Sequence, residues 1–310
     1  MKTQTTCKLL EQYLSYLSVV KERSQCTINM YRTDISLFLH WLAKHRTNSC
    51  SGDVLSYVDV DYLQSITIND MYSFIEYCQN ERKSCAGTRS RKIISIRQFW
   101  KYLRKVNMID TNPAESLETP KLPKRVPRYL SLEESVRLLI VSKDSPRDHC
   151  ILTLLLNCAL RVSEIAALNV SQISSDILHV IGKGNKERKI FLTPAAKTSI
   201  NDWLILHNQK YPDNEALFVS KHNTRMTSKA FGNIVKKYVA LAGIDSDLIS
   251  THKLRHTAAT LMYKYGKVDL RSLQLILGHE SVATTEIYTH IDERQLQAAV
   301  NSNPLAIMFN

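Results

Sequence analysis

The chain has 310 residues, about twice the length of a typical domain, so its length favours two domains or one large domain. Lysine and arginine number 41 against 29 aspartates and glutamates, which gives a formal net charge of +12, and 44% of the residues are hydrophobic. These values exclude a disordered basic tail. The counts of 8 glycines and 8 prolines exclude a collagen-like chain and argue against glycine-rich nucleotide-binding loops.

The excess of positive charge indicates a polyanionic partner, of which nucleic acid is the most common. Charge alone does not separate DNA from RNA or from an anionic membrane, and a merely basic protein is the alternative. The seven cysteines are scattered and form no C-x-x-C pair, which is typical of reduced cytosolic thiols. The N-terminus lacks an apolar signal segment, and the most apolar run, residues 150–160, is too short to span a membrane. We therefore expect a cytoplasmic protein without a membrane partner.

The first third of the chain predicts a small unit of about four helices. Apolar residues recur at helical spacing in residues 9–20 and again in residues 27–44. Residues 46–66 are polar and then alternate, which predicts a loop with short extended pieces. Either Asn69 or Asp70 is expected to cap a third helix through Cys78, and a fourth helix, over residues 87–105, carries many cations.

A proline-rich basic stretch separates this unit from the rest of the chain. Residues 112–128 hold four of the eight prolines and end in a cluster of cations, which predicts an extended, solvated linker. We expect a helical N-terminal domain over residues 1–115, a linker over residues 116–128 and a second domain over residues 129–310. In the second domain Ser131 is expected to cap the first helix.

The second domain is predicted to be mostly helical with one small β-hairpin. Residues 176–192 contain two β-prone runs around a Gly-Lys-Gly-Asn turn, so the hairpin has a very basic tip. The fold class expected from the whole chain is mainly α, with two domains and a small sheet in the second.

Several polar residues of this second domain could carry chemistry. Arg161 stands between two apolar stretches, so it either pairs with a carboxylate such as Glu164 or binds an anionic ligand through its planar fork. Lys183 and Lys186 lie at the hairpin tip. They form either a solvated basic turn or a flexible ammonium in a groove of DNA that can give up a proton.

The segment from Thr251 to Thr257 is the densest in such residues. His252 and His256 are four residues apart and could be taken for a metal pair. The metalloprotease pattern, however, needs glutamate directly after the first histidine, where Lys253 stands, and we predict no metal. His252 and Arg255 share one helical face, where they could present a proton carrier and a permanent cation to the same phosphate.

The last candidates lie near the C-terminus. Gly278 is predicted to end a helix, and residues 281–285 to begin another. His279 and Tyr288 would each ordinarily be structural. Taken together, however, two arginines, a lysine, two histidines and a tyrosine are what phosphodiester exchange through a tyrosyl intermediate requires.

These motifs, in this order, closely resemble the tyrosine recombinase family, and Xer-type recombinases and related bacterial integrases resemble the chain most. The resemblance covers almost the whole chain, because residues 27–34 and 127–134 also resemble the core-binding helical domain and linker of that family. The catalytic motifs are Ala-Leu-Arg161-Val-Ser-Glu-Ile, Gly-Lys183-Gly-Asn-Lys-Glu-Arg, His252-Lys-Leu-Arg255-His-Thr-Ala-Ala-Thr, Leu-Gly-His279-Glu-Ser and Thr-Thr-Glu-Ile-Tyr288-Thr-His.

The resemblance implies a role for each residue of the predicted site. Tyr288 is the nucleophile that forms a 3′-phosphotyrosyl bond. Arg161 and Arg255 clamp the scissile phosphate, His279 donates a hydrogen bond to it, and Glu164 orients Arg161 or its loop.

Proton transfer is assigned in the same way. Lys183 is the general acid for the 5′ hydroxyl, although Lys186 competes for this role because spacing does not say which side chain reaches the leaving oxygen. His252 assists proton movement to or from the tyrosine. The resemblance implies neither ATP nor metal nor another cofactor.

The resemblance also implies partners. These are a double-stranded DNA recombination site and a tetramer of this chain, alone or with a paralogous recombinase, on two DNA sites joined through a four-way junction. Residues 291–310 are expected to form an exchange tail that docks on a neighbouring subunit. Expected DNA contacts in addition to Lys186 follow the basic helix, at Arg89, Arg91, Lys92, Arg97, Lys101 and Arg104.

The chain departs from the family pattern mainly at residues 46–66, which are longer than the usual connection between the second and third helices. Two other functions remain open on the sequence: a nicking-closing topoisomerase with the same chemistry, and a DNA-binding architectural factor without it. The biological role also stays open between the resolution of chromosome dimers and the integration or excision of a mobile element.

Overall fold

The structure is a computed structural model, and it describes residues 7–47, 55, 58–121, 128–182, 187–266 and 268–278. The chain forms two compact units, Met1–Arg125 and Val126–Asn310, and each unit has its own hydrophobic core. The mainly helical, two-domain class expected from the sequence is confirmed. The predicted boundaries at residues 115 and 128 stay a prediction.

The first unit is built from five described helices and one short 3₁₀ turn. Aromatic side chains fill its core, and Phe38, Phe74, Phe99 and Trp100 are fully buried. The helices are α1 (Lys8–Val19), α2 (Gln25–Thr47), α3 (Val60–Gln64), α4 (Ile68–Asn80) and α5 (Ala86–Lys105), followed by the turn at Pro113–Ser116.

The extended pieces expected in residues 46–66 are wrong where the structure describes this segment. Val60–Gln64 is the helix α3, because the Asp59 side chain accepts a hydrogen bond from the backbone N–H of Tyr62 at 2.8 Å and so caps the first turn. Leu63 is buried in the core. In its described part, the alternating apolar pattern therefore ends in one helical turn packed against the core.

The expected cap of α4 is also wrong. The capping residue is Thr67, whose hydroxyl accepts a hydrogen bond from the N–H of Asp70 at 3.3 Å. Asp70 completes the capping box by accepting from the N–H of Thr67 at 2.8 Å. Asp70 thus acts three residues inside the helix end, and Asn69 takes no part in the cap.

The composition of the proline-rich stretch predicts that it is solvated over its whole length, but its first part is not. Pro113 begins the 3₁₀ turn, where its missing N–H leaves no hydrogen bond unmade. Ala114 and Leu117 are buried in the core of the first unit. Residues 122–127 lie outside the described residues.

The second unit surrounds one helix that is buried on all sides. Residues 150–155 of this helix, α7, have almost no exposed surface, which explains the most apolar run in the sequence. The order is α6 (Leu132–Ile140), α7 (Pro146–Asn157), α8 (Val162–Ala167), a 3₁₀ turn at Val170–Gln172, β1 (Ile177–Ile181), β2 (Glu187–Phe191), α9 (Pro194–Lys210), α10 (Ser228–Leu241), α11 (Thr251–Gly266) and α12 (Leu270–Leu277).

The predicted hairpin and helix cap of this unit are both present. Strands β1 and β2 pair antiparallel, with Ile177 opposite Phe191 and Ile181 opposite Glu187. The turn at residues 183–186 lies outside the described residues. The Ser131 hydroxyl accepts from the N–H of Glu134 at 3.1 Å, as the capping pattern predicts.

Six of the cysteines lie in the described residues, and all six are free thiols. Across the helices of the described ranges, none is both long enough and apolar enough to cross a membrane.

Candidate active site

Arg161 is fixed at the start of α8 by a carboxylate three residues further on. Glu164 accepts from the backbone N–H of Arg161 and from its guanidinium, both at 2.7 Å. The sequence favours this turn because an acidic side chain at the third helical position satisfies a backbone N–H that has no partner within the helix. The Arg161 side chain keeps 33% of its surface exposed, so its guanidinium remains within reach of a ligand.

Arg255 reaches the same carboxylate from α11. Its guanidinium lies 3.6 Å from Glu164 and donates to the backbone oxygen of Ala159 at 2.6 Å. His252 lies one helical turn before Arg255 and is exposed. Arg255 itself is buried, with 2% of its surface exposed, so the histidine and the arginine of this helix differ in their access to solvent. That the two act on the same phosphate stays a prediction.

The C-terminal end of α12 is the third part of the site. Three successive carbonyl groups, at residues 276–278, accept hydrogen bonds from three arginines: Arg188 at 3.2 Å, Arg255 at 2.5 Å and Arg161 at 3.0 Å, in that order. The last carbonyls of a helix have no partner within it and carry partial negative charge, so cations stabilise them. Gly278 ends the helix as predicted, in the left-handed region at φ 61°.

Arg188 is the site residue that the sequence analysis missed. It lies on β2, and its two terminal nitrogens donate to the two oxygens of Glu164 at 2.7 and 2.8 Å. One signal in the sequence could have found it: residues two apart on a strand share a face, so Arg188 lies on the same face as the apolar Ile190. The structure has these two as the less exposed positions of β2.

The electrostatics of this cluster favour an anion. Burial by itself raises the pKa of Glu164, but hydrogen bonds from Arg188 and from the Arg161 backbone, with the charge of Arg188, overcome it and lower the pKa to about 2. Glu164 is therefore ionised at neutral pH. One carboxylate among three arginines leaves the cluster positively charged, which suits a phosphate group.

His252 is held in its neutral form. Its pKa is lowered, first because the ring is partly desolvated and then because Arg255, Lys253 and Arg161 lie nearby. The side chain nevertheless keeps an exposed surface. A neutral imidazole that faces solvent can accept a proton from a substrate or from a neighbouring hydroxyl.

The remaining predicted site residues lie outside the described residues. These are Lys183, Lys186, His279 and Tyr288, and their place in the site stays a prediction. The described chain ends at Gly278, directly before His279.

The histidine pair of α11 does not share one environment. His256 is buried with its ring edge-on to Tyr129, at 6.1 Å between ring centres, whereas His252 is exposed. Within the described ranges there is no group of three histidines, cysteines, aspartates or glutamates placed to hold a metal ion.

One of the expected DNA contacts on α5 is wrong. Lys92 is buried, and its ammonium lies 3.1 Å from the carboxylate of Asp34, which has no exposed surface. Arg91 and Ser95 bind the same carboxylate. A charged side chain withdrawn into the core to neutralise a buried carboxylate cannot also contact DNA.

The other cations of α5 differ in their surroundings. Arg89 donates to the backbone oxygen of Ser84 at 2.6 Å and is partly buried. Arg97, Lys101 and Arg104 are exposed and line a cleft of about 650 Å³, which we name the α5 cleft. The DNA contacts of α5 stay a prediction, and the α5 cleft is the part of the helix that keeps its cations available.

Both units match known protein families. Residues 128–295 match the family described as "Phage integrase family", and residues 10–107 match the domain described as "Phage integrase, N-terminal SAM-like domain". The chain is 47% identical over 309 residues to tyrosine recombinase XerC of Caldanaerobacter subterraneus subsp. tengcongensis, which covers 96% of this chain and 87% of that protein.

A second relative and a solved structure agree with this. The chain is 33% identical over 318 residues to tyrosine recombinase XerD of Proteus mirabilis, covering 96% of this chain and 95% of that protein. Its fold resembles that of the XerH site-specific recombinase bound to difH substrate in a pre-cleavage complex. The TM-score is 0.71 at 22% identity, over 96% of this chain and 85% of that one.

Proposed function

The chain belongs to the phage integrase family as a tyrosine recombinase of the Xer type, and on that premise we propose how its own residues recombine double-stranded DNA. The proposal rests on one observation: Arg161 and Arg255 meet at the carboxylate of Glu164 and at the end of α12. These two guanidinium groups form the clamp for the scissile phosphate.

Strand cleavage is a transesterification. The Tyr288 oxygen attacks phosphorus, a bond between phosphorus and that oxygen forms at the 3′ side, and the bond to the 5′ oxygen breaks. Strand joining reverses the step when the 5′ hydroxyl of a second duplex attacks the phosphotyrosyl bond. The number of phosphate ester bonds is conserved, so no nucleotide hydrolysis is needed.

The charged residues around the phosphate divide the remaining work. Arg161 and Arg255, with His279, stabilise the charge that develops on the non-bridging oxygens. His252, held neutral by its surroundings, accepts the proton of Tyr288. Lys183 donates a proton to the departing 5′ oxygen.

The partners follow from the same proposal. DNA binds across the phosphate clamp of the second unit and, through the α5 cleft, on the first unit. Two bound sites are joined by a tetramer of this chain, alone or with a paralogous recombinase, in which the tail of residues 291–310 docks on a neighbour. The XerH protein bound to its difH substrate is a precedent for the DNA partner.

The test of this function is the covalent intermediate. We expect the wild-type protein to become attached to a duplex that carries a nick near the scissile phosphate, because the short leaving strand diffuses away. Tyr288→Phe should bind the same duplex but form no covalent complex. Tyr265→Phe is the matched control, since this exposed tyrosine should be dispensable. Covalent complex from Tyr288→Phe would place the nucleophile elsewhere, and none from wild type would refute the proposal.

A second experiment tests the general acid. A substrate with sulfur in place of the bridging 5′ oxygen has a better leaving group that needs little protonation. Cleavage by Lys183→Ala should therefore be restored on this substrate, whereas cleavage by Arg255→Ala should not. Lys186→Ala should need no rescue. If Lys186→Ala were the variant rescued, the acid would be Lys186.

A further inference from the structure

Arg188 stands at the point where the hairpin, the α8 turn and α12 meet. Two of its nitrogens donate hydrogen bonds to the two carboxylate oxygens of Glu164, at 2.7 and 2.8 Å. Its third nitrogen donates to the backbone oxygen of Ile276 at 3.2 Å. One guanidinium thus links a strand, a carboxylate and a helix end that are remote in sequence.

The surroundings of Arg188 indicate that this contact is built into the site. Only 14% of its side chain is exposed. A Cβ atom at Gly278 would lie 3.3 Å from Arg188, so the absence of a side chain there leaves room for the guanidinium. Lysine could supply the charge in this position but could not bind both carboxylate oxygens and a carbonyl at once.

The contact between Arg188 and Glu164 changes the net charge that the cluster presents to a phosphate. Glu164 touches Arg161 and Arg255, the two arginines of the proposed clamp, and would offset one of their two charges. Arg188 binds the same carboxylate and adds a third positive charge to the cluster. The carboxylate can then hold both clamp residues in position while the cluster keeps a net charge of +2 rather than +1.

We propose that Arg188 is a positioning residue that neutralises Glu164, so that Arg161 and Arg255 meet the scissile phosphate with both of their charges. This inference rests on the proposed function. It concerns a residue that does not itself contact the phosphate. It predicts that Arg188 affects the rate of cleavage far more than the affinity for DNA.

The test compares single-turnover cleavage of the nicked duplex at saturating protein, below the unfolding temperature of each variant. Arg188→Met should cleave about 10–10² times more slowly than wild type, somewhat less than the loss expected for a direct donor. Its dissociation constant for the duplex should change by about threefold or less. Arg225→Met is the matched control, because Arg225 also binds carbonyls at the end of α8 but no carboxylate. It should cleave at the wild-type rate.

Two further variants separate charge from structural support. Arg188→Lys retains the charge, and Arg188→Met combined with Glu164→Gln restores a net charge of +2. Each should cleave at least about tenfold faster than Arg188→Met, because each gives the cluster a net charge of +2 where Arg188→Met leaves +1. If both variants are as slow as Arg188→Met, the charge role is refuted. If Arg188→Met does not fold, these two variants are compared with wild type: a loss of about tenfold or less supports the proposal, and a larger loss overturns it.

Covalent attachment by wild type tests the proposed function, and the cleavage rate of Arg188→Met tests the role of Arg188. If wild type attaches to DNA through Tyr288 and Arg188→Met cleaves equally fast, the inference alone fails. If wild type forms no covalent complex at all, the proposed function fails, and the inference fails with it.

Discussion

Replacing Glu164 by glutamine should remove the main internal support of the arginine cluster. The carboxylate is 4% exposed and accepts four hydrogen bonds of 2.7–2.8 Å from Arg161 and Arg188. Its pKa of about 2, against an ordinary value of 4.5, corresponds to about 3 kcal/mol of folding stability at neutral pH. We therefore expect Glu164→Gln to lower the free energy of unfolding of the second unit by about 3 kcal/mol or more at pH 7.

The stability that Glu164 contributes should fall as the pH is lowered. The folded-state pKa of Glu164 is lowered, so its contribution is complete above pH 4.5 and is lost as the pH falls toward 2. About 2 kcal/mol of it should be gone at pH 3. Because glutamine does not titrate, the difference in unfolding free energy between wild type and Glu164→Gln should shrink by that amount between pH 7 and pH 3.

The two units require a probe that reports the second one alone. Trp203 is buried in the second unit, whereas Trp41 and Trp100 belong to the first. Urea unfolding followed by the ¹⁹F signal of fluorotryptophan at position 203 would isolate the second unit. Glu215→Gln serves as the control, because this exposed carboxylate should change stability by about 0.5 kcal/mol or less. A difference between wild type and Glu164→Gln that stays constant from pH 7 to pH 3 would refute the reasoning.

Three other changes should alter the stability of one unit or its binding to DNA. Gly278→Ala should destabilise the second unit by about 1–2 kcal/mol in a thermal melt, because alanine disfavours the left-handed backbone there and its Cβ would press on Arg188. An unchanged melting temperature would contradict this. Asp34→Asn should destabilise the first unit by about 3–5 kcal/mol in urea, since it leaves a buried cation unpaired, while exposed Asp110→Asn should have little effect. Replacing Arg97, Lys101 and Arg104 of the α5 cleft by glutamine should reduce the slope of log affinity for DNA against log salt by about 3. An unchanged slope would exclude these three side chains from the DNA interface.

Local patterns in the sequence predicted most of the secondary structure. The helices α1, α2 and α5 follow from apolar residues at helical spacing, and the hairpin follows from two β-prone runs around a turn. The cap at Ser131 depends on residues three positions apart. The same local reasoning failed at α3 and at the start of α4, where the sequence predicted Asn69 or Asp70 as the cap and the structure has Thr67.

The sequence also determined the chemistry of the second unit, because the family motifs identify the residue types that phosphodiester exchange requires. It could not show that Lys92 is withdrawn to Asp34, or that Arg188 and Glu164 form the centre of the arginine cluster. Arg161 meets the carbonyl of Gly278 across 117 positions of chain, and Arg188 meets that of Ile276 across 88. Such pairings have no periodic signal, since they arise only when helix ends and a strand pack together and their unpaired carbonyl groups and buried carboxylate require positive partners.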